Sequence, residues 1–333
     1  MDRIEPTITQ LYGSGFGVLG QPNFTTRGGA TTQNGLNSNY SVFIDSFGNA
    51  WVADYANSRV LMYVPPFSNG MDASLVLGQP NFTTRGSNLT QNGLSYPVSV
   101  FIDSSGNAWV ADYNRVLMYE PPFSNGMNAS LVLGQPNFTT NNSVVTQNGL
   151  YGNPYTVFVD SSGNVWVADP GASRVLMYAP PFSNGMNASL VLGQANFTTS
   201  AVATTQNGLD ESTSVFVDSS GNVWVADTAN SRILMYSPPF SNGMNASLVL
   251  GQPNFTLGTY ATTQNGLYYP TSVFVDSSGN VWVNDYANSR VLMYVPPFSN
   301  GMNAGSSTNS LYSSVVYPRK NIFYNPKAGV VKI

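Results

Sequence analysis

Apolar residues fall in short bursts along this chain, four to a unit, and the unit recurs. In the fourth copy the bursts are Ser214–Asp218, Asn222–Asp227, Arg232–Tyr236 and Ser247–Gln252, rich in Val, Phe, Trp, Leu and Tyr and bounded by Gly, Asn, Ser or Pro. Such runs read as short strands. In the second burst Val223 and Val225 point one way and Trp224 the other, so both faces are apolar. A sheet stacked between two neighbouring sheets needs that pattern; a surface sheet alternates apolar with polar. The tryptophans Trp51, Trp109, Trp166, Trp224 and Trp282 stand 58, 57, 58 and 58 residues apart. A period of that length with four strands per unit predicts the blades of a β-propeller. Asp218-Ser219-Ser220-Gly221-Asn222 reads as the first hairpin turn, with Gly221 supplying a positive φ. Pro238-Pro239 cannot donate ladder hydrogen bonds and ends the third strand.

The run Gly-Asn-Val-Trp-Val-Ala-Asp followed by Ala-Asn-Ser-Arg resembles the NHL repeat over about residues 41–300. That resemblance implies a six-bladed propeller and says little about activity, because the scaffold hosts many functions. The expected domain is a single one, 1–333: an N-terminal arm 1–15, repeats 16–300, and a divergent closing blade or tail 301–333. Phe16–Gln21 repeats the text of an outer strand, and Ser314–Ile333, aligned on Asn321, follows three inner strands with Phe323 in the tryptophan place. The expectation is an all-β, six-bladed ring of four-stranded blades, closed between the N- and C-terminal strands, which removes free sheet edges. The alternative is five blades plus an exchanged C-terminal tail, because the fifth unit loses its outer-strand text after Ala304.

Charged residues make up only 8% of the chain, against about 25% in an average soluble protein. Surface polarity must come from Asn, Ser, Thr and Gln. Net charge is −4 and all three lysines lie in the last fourteen residues, so a nucleic-acid partner is not expected. No apolar stretch approaches the roughly 18 residues of a membrane span. No charged-then-apolar leader opens the sequence, so the signal of a secreted protein would have been removed or lie outside it. Histidine and cysteine are absent, which removes the commonest general base, the commonest metal ligand and any disulfide. No cofactor is expected.

Each unit carries an Asp and an Arg around one turn: Asp54/Arg59, Asp112/Arg115, Asp169/Arg174, Asp227/Arg232 and Asp285/Arg290. A ring of charge at the channel mouth is one reading; a structural ion pair bracing the turn is the preferred one, because a role in every blade is what repetition predicts. The turn aspartates Asp45, Asp103, Asp160, Asp218 and Asp276 lack the oxygen spacing of a calcium loop and read as turn formers. Eleven N-x-S/T sequons, at Asn23, Asn39, Asn81, Asn88, Asn128, Asn137, Asn141, Asn187, Asn196, Asn245 and Asn254, are candidates for N-glycosylation in a secreted protein. Arg319, Lys320, Lys327 and Lys332 form a terminal basic group that reads as turn residues rather than a phosphate site.

Near-identical blades repeat every group, whereas an active site needs a unique constellation. The expected function is therefore an extracellular or cell-surface structural and interaction protein, non-catalytic, self-assembling into filaments or a surface matrix through terminal strands. The N-terminal arm would dock on a neighbour's blade-five edge, with the C-terminal tail as second choice. The alternative is ligand binding, or a lactonase-like metal-dependent reaction, at the central channel. Asp210 and Glu211 are the only acids outside the repeated positions expected on the face carrying the Asp/Arg turns.

Overall fold

The computed structural model describes residues 17–305, which build five blades around a central channel. Blade one consists of β1 (Asn39–Ile44), β2 (Ala50–Asp54), β3 (Arg59–Tyr63) and β4 (Leu75–Leu77). Blade two holds β5 (Ser99–Ile102), β6 (Ala108–Asp112), β7 (Arg115–Tyr119) and β8 (Leu131–Leu133). Blade three holds β9 (Thr156–Val159), β10 (Val165–Asp169), β11 (Arg174–Tyr178) and β12 (Leu190–Leu192). Blade four holds β13 (Ser212–Val217), β14 (Val223–Asp227), β15 (Arg232–Tyr236) and β16 (Leu248–Leu250). Blade five has three described strands, β17 (Pro270–Val275), β18 (Val281–Asp285) and β19 (Arg290–Tyr294). All pairs are antiparallel and the register repeats from blade to blade, with Trp224 opposite Phe216 and Met235 as Trp51 is opposite Phe43 and Met62.

Five blades correct the six-bladed ring expected from the sequence. The segment offered as the sixth blade, Ser314–Ile333, and the arm 1–15 lie outside the described residues. The weakness of that expectation is chemical. In the alignment on Asn321, Tyr317 replaces the turn aspartate, Lys320 the turn glycine, Pro326 the paired aspartate and Val331 the paired arginine. None of the contacts that define a blade here can be rebuilt from those residues. Gly17–Gln21 pairs with no strand among the described residues. It docks instead on blade one, where the Val18 N–H donates to Asn69 Oδ1 (2.9 Å) and the Gly70 N–H to Val18 O (3.0 Å). Val76, Val132, Val191 and Val249 dock each outer strand on the following blade through the same two bonds.

The core lies between blades. One face of each of blades one to four presents its tryptophan, the alanine two residues on and the first valine or isoleucine of the third strand; the next blade answers with valines, leucine and tyrosine from its own inner strands. Trp51, Trp109, Trp166 and Trp224 are 1% exposed in these seams, each with its ring edge on a phenylalanine of the next blade at 5.1–5.5 Å. Burying an aromatic side chain of this size is among the largest single contributions a core residue makes.

The series ends abruptly. Trp282 is 39% exposed and Val291 62%, whereas Ile233, which matches Val291, is fully buried. Across the break Val42 is 64% exposed where Val100 and Val273 are 4%. Leu19 and Leu36 cover the outer half of blade one's free face, together with Phe67 and Met71. Its innermost strand stays bare.

Candidate functional site

The Asp/Arg pairs sit where the second strand turns into the third. In blade four Arg232 Nε donates to Asp227 Oδ2 at 2.6 Å, and both side chains are fully buried. The guanidinium also donates to the carbonyls of Thr205, Gly208 and Phe255, while Asp227 accepts the Asp210 N–H and Asn230 Nδ2. Each pair thus knots a turn to the chain crossings that enter and leave its blade. The remaining pairs close at 2.6–2.8 Å; Asn57 and Asn288 repeat the asparagine contact, whereas Asn114 donates to Asn141 O and Ala172 takes that place in blade three, and only Arg290 in blade five is partly exposed, at 26%. Sealed in this way, the pairs present no charge to the channel. Burial pushes the Asp169 and Asp227 carboxyls up to about 6 against the pull of Arg174 and Arg232, and pushes Asp112 up as well.

Asp45, Asp103, Asp160, Asp218 and Asp276 each accept two backbone N–H groups of their own turn, an Asn side chain, and the Nε1–H of the blade's tryptophan at 2.8–2.9 Å. The indole bond was not visible in the sequence, although the fixed six-residue spacing from Asp to Trp was its signal. The Trp282 indole and Asn280 amide hold Asp276 down at about 2. Among the described residues no group of three acidic, His or Cys side chains could hold a metal.

These opposite shifts set a pH profile. A carboxyl raised in the fold contributes stability that is present below the ordinary value of 3.8 and lost as pH rises through about 6. A lowered one contributes stability present above 3.8 and lost as pH falls toward 2. The unfolding midpoint should therefore peak near pH 4 and decline toward both pH 2 and pH 7. Calorimetry across that range checks it, and a midpoint rising steadily from pH 4 to 7 would contradict it.

All eleven sequon asparagines are solvent-exposed. In the N-F-T copies the threonine hydroxyl donates to the asparagine Oδ1, as Thr83 does to Asn81 at 3.0 Å. Asp210 and Glu211 stand side by side on the face of the Asp/Arg turns and meet no third acid. Burial raises Asp210.

The first strands of the five blades enclose a channel cavity of about 850 Å³. Its waist is a ladder of rings, Phe43, Phe101, Phe158, Phe216 and Phe274, with neighbouring centroids 4.7–5.1 Å apart. At the mouth the copies diverge. The position of Tyr40 is held by Val98, Tyr155, Thr213 and Thr271 in the other blades, and that of Tyr55 by Tyr113, Pro170, Thr228 and Tyr286. Tyr55 stacks between Tyr40 (4.6 Å) and Tyr96 (5.1 Å), and burial together with the neighbouring Tyr40, Tyr155 and Tyr96 hydroxyls raises its pKa. Sequence reading missed this cluster because it lies in the differences between copies, not in their consensus.

No protein-family model matches the chain, and no curated protein matches it in sequence. Solved structures with a similar course of chain include a streptogramin B lyase, with TM-score 0.47 and 11% identity over 79% of this chain and 70% of that one. A nidogen/laminin complex gives 0.49 and 13%, over 79% and 77%. The extracellular domain of a one component system from B. thetaiotaomicron gives 0.48 and 16%, over 81% of this chain and 31% of that one. No helix among the described residues is long and apolar enough to cross a membrane.

Proposed function

We propose that this NHL-like propeller is a non-catalytic structural protein of the cell exterior whose copies join head to tail across the break in the blade series. One observation carries the reading. Among the described residues the chain makes the same inter-blade seam four times with itself and leaves both halves of a fifth exposed: Trp282 and Val291 on blade five, Val42 and Ile44 on blade one. The two halves are complementary by construction, so the partner that fits each is the other half on a second copy. β19 adds an edge with no fourth strand among the described residues, which a strand from another chain can satisfy. Such a contact is heterologous and propagates unless its rotation closes a ring. An exterior setting is supported by the eleven exposed sequons and by a surface made polar with amides and hydroxyls.

Light scattering with two variants tests the reading. The native chain should grow in mass with concentration. Val42→Glu and Val291→Glu should each stay monomeric, since each spoils one half of the seam. Mixed in equal amounts they should form dimers and nothing larger, because one intact half survives on each. A native chain that is monomeric throughout, or a mixture that yields no dimer, overturns the proposal.

A further inference from the structure

We propose that the channel mouth on the face of the Asp/Arg turns binds a neutral carbohydrate chain, held against the tyrosines of blades one to three. The first reason is where the copies disagree. In a chain whose blades share the same Trp, Asp, Arg and Phe positions, the positions of Tyr40 and Tyr55 change residue type from blade to blade. Tyrosines stand there in blades one to three, threonines in blades four and five, with Tyr286 beside Thr271 in blade five; of the threonines, Thr213 and Thr271 line the cavity. This one-sided arrangement is the asymmetry that the repeated ion pairs lack.

The second reason is what the mouth is made of. Every described tyrosine other than Tyr63, Tyr119, Tyr178, Tyr236 and Tyr294, which are buried at third-strand ends, lies on this face of the propeller. Tyr40, Tyr96 and Tyr155 are 56%, 41% and 44% exposed, so large ring area meets water around a concave opening. Tyrosine is suited to recognition because it offers a rigid apolar face and a polar tip at little entropic cost. Across the opening Thr213, Thr271 and Asn284 line the cavity with hydroxyl and amide groups. A pyranose has the matching chemistry: apolar C–H faces for the rings and hydroxyls for the polar wall.

The third reason is charge. Among the described residues no acidic or basic side chain lines the cavity. The arginines of the Asp/Arg turns are each tied to an aspartate, fully buried in blades one to four and 26% exposed in blade five. A phosphate, sulfate or carboxylate would find no counter-charge there, and Glu211, close enough to raise the Tyr155 pKa, would repel it. The cavity volume, about 850 Å³, lies within the range of small-molecule sites. Tyr96 and Tyr155 lie away from the break between blades five and one, while Tyr40 and Asn284 border it.

The repeat itself supplies the test. Blade four carries threonine at the positions of Tyr40, Tyr55 and Tyr155, as Thr213, Thr228 and Thr213 again, so the fold already accommodates these exchanges. The full chain would be screened on an array of neutral, sialylated and sulfated oligosaccharides, and the strongest neutral ligand titrated by calorimetry. Binding should be confined to neutral chains. Tyr55→Thr, in the cluster with Tyr40 and Tyr96, and Tyr155→Thr, in the cavity wall, should each weaken it at least tenfold with unchanged circular dichroism, while Tyr260→Thr, which pairs with Tyr268 apart from both, should bind as the native chain does. Array binding restricted to charged glycans, no binding by any neutral oligosaccharide, or full affinity in the Tyr55→Thr/Tyr155→Thr double variant overturns the proposal.

Discussion

Replacing Arg174 with methionine should lower the unfolding free energy by about 3–5 kcal/mol at pH 7, the cost of stranding one partner of a buried ion pair. Asp169 is fully buried beside it, and the carbonyls of Thr146, Gly149 and Phe197 would lose their donor at the same time. The same exchange at Arg290 should cost less, because that side chain is 26% exposed and water can replace it. Loss of Arg174 also leaves Asp169 free to take a proton, so the deficit should shrink toward pH 4. The double variant Asp169→Leu/Arg174→Met should recover much of the stability, since a buried pair exchanged for apolar groups of similar volume is often neutral. Chemical unfolding of the three variants measures this. A single-variant loss below about 1 kcal/mol would mean that the knot holds little, contrary to its burial.

The parts of this fold that were legible in the sequence are those written by local chemistry. Trp224 flanked by Val223 and Val225 states a strand buried on both sides, and Asp218 four residues before Asn222 states a hairpin; both are present, with β14 at Val223–Asp227 where Asn222–Asp227 was read. The outer strand was read too long, as Ser247–Gln252 instead of Leu248–Leu250. Its last residue leaves the ladder because Gln252 turns its amide inward to Ser231 O and Thr259 O, a long-range use of an ordinary polar residue. Blade count was misread for a similar reason. The text of an outer strand fixes its conformation but not its partner: each outer strand pairs after a connector from its own third strand, and among the described residues Val18 meets the following blade alone. The break had one visible sign. Asn284 stands where Ala53, Ala111, Ala168 and Ala226 are fully buried against the next blade. Exposed, it bonds Thr271 Oγ1 at 2.8 Å. Because Thr271 satisfies the amide from within its own blade, Asn284 keeps a partner when a second copy covers this face.

That difference between sealed seams and open end gives the last prediction. Trp224→Ala should cost about 3–5 kcal/mol, as expected for deleting a fully buried large aromatic side chain, since Trp224 is 1% exposed with its edge on Phe298 at 5.3 Å. Trp282 keeps the same indole bond, to Asp276 at 2.9 Å, yet has no following blade among the described residues and is 39% exposed. In dilute solution Trp282→Ala should therefore cost roughly half as much or less, because much of the area it removes is already in water. Concentration should change that ranking. If copies meet across the break, Trp282 becomes buried as Trp224 is, and association stabilises the native chain by mass action. The native protein should then gain stability as its concentration rises, and the Trp282→Ala variant should not, so the measured gap between them widens. Unfolding curves at two concentrations a hundredfold apart decide it. A gap that stays constant while Trp282→Ala is as damaging as Trp224→Ala would place Trp282 in a seam completed by its own chain, and the head-to-tail arrangement would fall with it.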